Sequence, residues 1–90
     1  MERQELEVFA DAPNFAIVRM PGRSFPGCVV QGDSLCILLH RVQEARAMAK
    51  DTNNQELLES VAEIETMLTD RLDHYESVLK ANGLRIPYTR

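Results

Sequence analysis

Apolar residues alternate or run β-branched in the first third of this 90-residue chain, recur at spacings of three and four over the remainder, and change period at a single Gly-Asp step. These observations predict an α+β protein: a three-stranded antiparallel β-meander over residues 5–31, followed by a two-helix hairpin over 33–82 and a short tail over 83–90. A chain of this length makes one domain with a modest core.

Each element has a local cause. Glu5-Leu6-Glu7-Val8 alternates polar and apolar, so the first strand spans 5–10 with Leu6, Val8 and Ala10 inward. Asp11-Ala12-Pro13-Asn14 is a turn cluster. The second strand, 15–20, has the β-branched centre Ile17-Val18. Pro21-Gly22 suits the middle of a type II turn, because proline presets φ and glycine takes the positive φ that follows. A third short strand, 27–31, surrounds Val29 and Val30, with Pro26 at its start, where no ladder donor is needed. Gly32-Asp33 then turns strand into helix, with Asp33 as the N-cap.

In the first helix Leu35, Leu38, Val42, Ala45 and Ala49 share one face, widened by Leu39, and Lys50 suits the C-terminal dipole. Residues 51–54 break the helix, and Thr52 with Gln55, or Asn53 with Glu56, would cap the next one. The second helix runs to about Asn82 along Leu57, Val61, Ile64, Leu68, Leu72, Tyr75 and Leu79. Gly83 is a left-handed stop with Leu84 placed for the contact that follows it. The tail alternates apolar and polar, but Pro87 limits any added edge strand.

The second helix is long for its partner. At 1.5 Å per residue it reaches roughly 40 Å, against roughly 27 Å for the first helix. Neither proline nor glycine lies between Gln55 and Asn82 to bend it. Part of its stripe is therefore expected to meet a second copy of the chain, with Leu68, Leu72, Tyr75 and Leu79 as the self-association surface.

Charge narrows the partners. The formal net charge is −4. Residues 1–32 carry three Arg against four acids, and 33–90 carry seven basic against ten acidic residues, so neither half offers the positive surface that nucleic acid requires. The longest apolar run, Leu35–Leu39, is far short of a membrane span, and the charged N-terminus has no signal-peptide pattern. A cytoplasmic setting is expected. Cys28 and Cys36 lie among apolar residues and read as free, buried thiols.

Pro21 to Leu35 holds three of the four glycines and two of the four prolines. Arg23 and Phe25, between two Pro-Gly steps, are candidate recognition residues, joined by Arg19; Phe25 either stands out or tucks under the sheet. Ser34, with the first-turn amides and Arg23, outlines a weak anion corner that the Asp33 carboxylate opposes. Cys36 and His40 lie four residues apart on one helix face, which allows a thiol–imidazole contact, yet nothing in the sequence marks an orienting group or an oxyanion hole. The cysteines and histidines match no zinc spacing, and the acids of the second helix read as a solvated face. No catalytic residue, metal or cofactor is expected.

The run Arg19-x-Pro21-Gly22-Arg23-x-Phe25-Pro26-Gly27-x-Val29-x-Gln31-Gly32-Asp33-Ser34-Leu35 resembles the signature of a family of small bacterial proteins of unknown function. The resemblance covers roughly residues 5–42, with the second helix similar only in pattern. It implies a bacterial cytoplasmic origin and no activity. The leading expectation is a non-catalytic protein-interaction module acting as a homodimer with an unknown protein partner. The alternatives are an immunity- or antitoxin-like inhibitor that blocks a basic enzyme with its acidic helix face, and a small anion- or ligand-binding protein using the Arg23/Ser34 corner.

Overall fold

In the computed structural model the described residues are 1–12 and 15–90. The turn expected over 11–14 includes Pro13 and Asn14, which lie outside the described residues. Three strands, β1 (Glu7–Ala10), β2 (Ile17–Arg19) and β3 (Gly27–Cys28), precede two helices, α1 (Gly32–Lys50) and α2 (Gln55–Ala81). The expected α+β order is present. The chain divides into two compact units, Met1–Gln31 and Gly32–Arg90.

The sheet unit is an antiparallel meander in the order β1-β2-β3. Its strands are shorter than the alternation suggested. Val8 pairs with Val18 and Ala10 with Ile17, so Phe9 is an extra residue in β1. Such a bulge breaks the period of two. The bulge puts Ala10 out of phase with Leu6 and Val8, and all of β1 is exposed, so these three do not form the inward face expected of them. β3 is only two residues long, but Val29 N–H still donates to Ala16 O at 2.8 Å. Cys28, expected to be buried, is exposed, and both cysteines are free.

The second unit is an antiparallel helix pair. Gly32 lies level with Tyr75, and Arg46 Nη1 reaches Glu65 Oε1 at 2.8 Å, so sequence position rises along one helix as it falls along the other. The core is Cys36, Leu39 and Leu72, with Leu35, Leu68, Tyr75 and Tyr88 packed against it, and Ala49 is buried toward the other end. The inward face of α1 is thus Leu35, Cys36, Leu39, Val42, Arg46 and Ala49; Leu38 and Ala45, expected inward, are exposed. In α2 the inward positions are Leu58, Val61, Glu65, Leu68, Leu72, Tyr75 and Leu79, and the expected Leu57 and Ile64 are exposed.

The helix ends are set by named groups. α1 begins at Gly32, one residue earlier than expected, so Asp33 lies in the first turn instead of capping it. Between the helices Thr52 Oγ1 donates to Ala49 O at 2.7 Å and accepts from Asn54 N–H at 3.2 Å. Asn53 takes φ +57°, a left-handed value that asparagine tolerates. The N-cap of α2 is Asn54, not Thr52 or Asn53: its Oδ1 accepts from Leu57 N–H at 3.0 Å. At the other end Gly83, at φ +67°, closes a Schellman motif, with Leu84 N–H donating to Leu79 O and Gly83 N–H to Lys80 O. Leu84 itself is exposed.

Candidate functional site

The loop between β2 and β3 is built as its residue types require. Arg23 N–H donates to Met20 O at 3.1 Å, and Gly22 supplies φ +77°, which gives the type II turn expected of Pro21-Gly22. Arg19 braces this loop. Its guanidinium pairs with Glu7 across the strands, lies 5.4 Å from the centre of the Phe9 ring, and donates from Nη1 to Ser24 O at 3.5 Å. Arg19, one of the expected recognition residues, is thereby placed as a positioning group whose donors are engaged within its own unit.

The other two loop residues stand out. Arg23 is exposed, and its side chain has no partner among the described residues. Phe25 is 85% exposed, so of its two readings the sheet-covering one does not hold. Gly32 and Asp33 follow in sequence but belong to the first turn of α1. Ser34 is half-buried in the first turn of α1, and its N–H donates to Asp33 Oδ1 at 2.9 Å. The amide that an anion would need is engaged by a carboxylate. The anion corner expected at Ser34 is therefore not supported by its surroundings.

The four residues expected to carry self-association lie inside the hairpin unit. Leu72 is fully buried, Leu68 and Tyr75 pack against it, and Leu79 is half-buried. The tail supplies a contact that the sequence reading missed. Tyr88 stacks on Tyr75 with ring centroids 6.3 Å apart, and its hydroxyl donates to Glu76 Oε2 at 2.7 Å. Arg90 Nε donates to Glu76 at 2.9 Å and Nη2 to Asp73 at 2.7 Å. No strand forms there. The tail folds back along α2 at Asp73–Glu76, beside the start of α1. The signal in the sequence was the Asp73/Glu76 pair, three residues apart on one helix face, with Tyr88 and Arg90 beyond the glycine stop.

Burial, then the hydrogen bond it donates to Glu76 and the charge of that carboxylate, raise the Tyr88 phenol well above its ordinary range. The hydrogen bond to Asp73 is the main cause that raises Arg90. Because Arg90 pairs with both Asp73 and Glu76, the acidic helix face is partly occupied by the chain itself. Cys36 Sγ lies 3.8 Å from His40 Nε2, as the spacing allowed, but the thiol is only 3% exposed and lies beneath Tyr88. Among the described residues no group of three or more His, Cys, Asp or Glu gathers to hold a metal ion, and no helix is long and apolar enough to cross a membrane.

Residues 1–88 match a family of unknown function, DUF6959. No curated protein and no solved structure matches the chain.

Proposed function

The chain belongs to DUF6959, a family of unknown function, and we propose that this member is a non-catalytic protein-interaction module that acts as a homodimer in the cytoplasm and meets a further protein through Arg23 and Phe25. The observation that carries this reading is the pair of exposed side chains on a braced loop. Phe25 presents most of its ring to solvent, and Arg23 has no side-chain partner among the described residues. Arg19, Gly22 and the flanking prolines limit the loop's freedom, so little conformational entropy is lost when a partner is met. Arginine and aromatic residues are the side chains most often found to dominate binding energy.

Several features support the non-catalytic part. Cys36, which lies beside the His40 imidazole, is buried, and Ser34 faces a carboxylate. Two free thiols fit a reducing compartment.

The test is a photo-crosslinker at the exposed position of Ser24 in cells, with capture repeated for Arg23→Ala and Phe25→Ala. Both variants are expected to keep wild-type stability within about 0.5 kcal/mol, since neither residue is packed. They are expected to abolish capture of a discrete partner. Unchanged capture, or a sharp loss of thermal stability, would assign the two residues to architecture instead.

A further inference from the structure

The helix hairpin has an apolar side that its own core does not use. Leu38, Met48, Leu57, Ile64, Met67 and Val78 are 43–69% exposed. Each immediately precedes an inward-facing residue: Leu39, Ala49, Leu58, Glu65, Leu68 and Leu79, respectively. One residue back is a rotation of about 100° around a helix. The rotation has the same sense in both helices. Because the two run antiparallel, flanks displaced in the same sense fall on the same side of the pair. Of the residues that follow an inward position, His40, Gln43, Lys50, Glu59, Thr66, Thr69, Asp73, Glu76 and Lys80 are polar, against the apolar Ile37, Ala47 and Ala62. That polar side is where Arg90 binds Asp73 and Glu76. The hairpin is two-faced, and the tail occupies the polar face.

We infer that the apolar face is the homodimer seam, on which a second copy of this hairpin lays its own apolar face to close a four-helix bundle. The inference rests on the homodimer reading above and replaces the surface expected at Leu68–Leu79. Three features favour a second copy as the occupant. The spacing of Leu57, Ile64 and Val78 is in multiples of seven, and that of Leu38, Ala45 and Met48 is seven and three, which are the intervals of bundle seams. The uncovered apolar surface is on the order of 700 Å² per chain, close to the roughly 800 Å² per partner of a standard interface. The face is also self-complementary in charge. Its only charged side chains at the flank positions are Arg41 and Arg71, and Glu44, Glu63 and Asp70 edge it; Arg41 pairs with Glu44 of its own helix at 3.3 Å and Arg71 donates to Met67 O at 2.9 Å, so each copy brings both signs of charge to this face. Ala45, near the middle, lets the helices approach closely.

Light scattering on a sizing column, with helicity from circular dichroism, tests the seam on the full chain. The wild type is expected to be a dimer at high micromolar concentration. Ile64→Lys, at a half-exposed position, is expected to raise the dimer dissociation constant about 30-fold or more with helicity unchanged. Ser77→Lys, off the apolar face, is expected to remain dimeric. A dimer that persists in Ile64→Lys would overturn this seam and leave the homodimer reading standing. A monomeric wild type would overturn both, while leaving the position-24 crosslink to decide the loop's role on its own. If Ile64→Lys loses helicity, Leu38→Lys on the other helix decides by the same two readouts.

Discussion

A methyl group on Gly32 would sit 2.2 Å from two ring carbons of Tyr75, closer than atoms can approach. The glycine that the sequence marks as a strand-to-helix switch is therefore also the floor on which an aromatic ring of the other helix rests. The ring cannot easily move, because its other contacts include Tyr88 and the core around Leu72. Gly32→Ala is expected to lower stability by about 1–3 kcal/mol, the range for overpacking, measured by urea unfolding. A loss under about 0.5 kcal/mol would show that Tyr75 swings aside freely. The switch was legible in the sequence because Gly-Asp sits between two periodicities. The close approach was not, because it depends on a residue in another helix. Arg46 and Glu65 were hidden for a related reason: an ion pair at inward positions interrupts the apolar pattern by which such positions are recognised, and one guanidinium nitrogen, Nε, is buried without a partner.

At the scale of elements, existence and order were legible and facing was not. Both helices carry two apolar stripes one residue apart, and spacing alone cannot say which one meets the other helix. In α1 the reading shared Leu35, Val42 and Ala49 with the observed inner face and differed at Leu38 and Ala45. In α2 it was drawn to Leu57 and Ile64 because the inner face holds Glu65. The strand faces failed for a different cause: both sides of β1 are exposed, and the bulge at Phe9, which no alternation announces, takes Ala10 out of phase. The cap of α2 was misplaced by one or two residues among four consecutive polar side chains. Geometry chose Asn54, since Thr52 is bonded back to Ala49 and Asn53 turns left-handed. Asn54→Ala is expected to cost about 1 kcal/mol in thermal or chemical unfolding, and Asn53→Gly to cost nothing or to stabilise slightly. Equal losses in both would return the cap to Asn53.

At the scale of the whole molecule, the tail's attachment is sensitive to alkaline pH. The Tyr88 phenol is held protonated by burial and by Glu76, so its folded value lies above its unfolded one. A group raised in this way contributes stability that is fully present below the unfolded value near 10 and is lost as pH climbs through the folded value. Ionisation would place a phenolate against the Glu76 carboxylate and release the stack on Tyr75. Tyr75→Phe leaves Tyr88 as the only tyrosine, and its phenolate absorbance is expected to rise with an inflection above the ordinary value of about 10. An inflection at or below that value would mean the tail is not docked. The loop residues of the candidate site were named from the sequence; that Arg19 braces them while Arg23 and Phe25 stand free required the cross-strand register.

The aromatic residues are distributed in a way that reaches beyond packing. Phe9, Phe15 and Phe25 all belong to the unit Met1–Gln31, Tyr75 and Tyr88 both belong to Gly32–Arg90, and the chain has no tryptophan. Phenylalanine and tyrosine bands are resolvable in near-ultraviolet spectra, so the unlabelled protein carries a separate optical channel for each unit. One melting experiment on one sample can thus report whether the sheet and the hairpin lose order together or in turn.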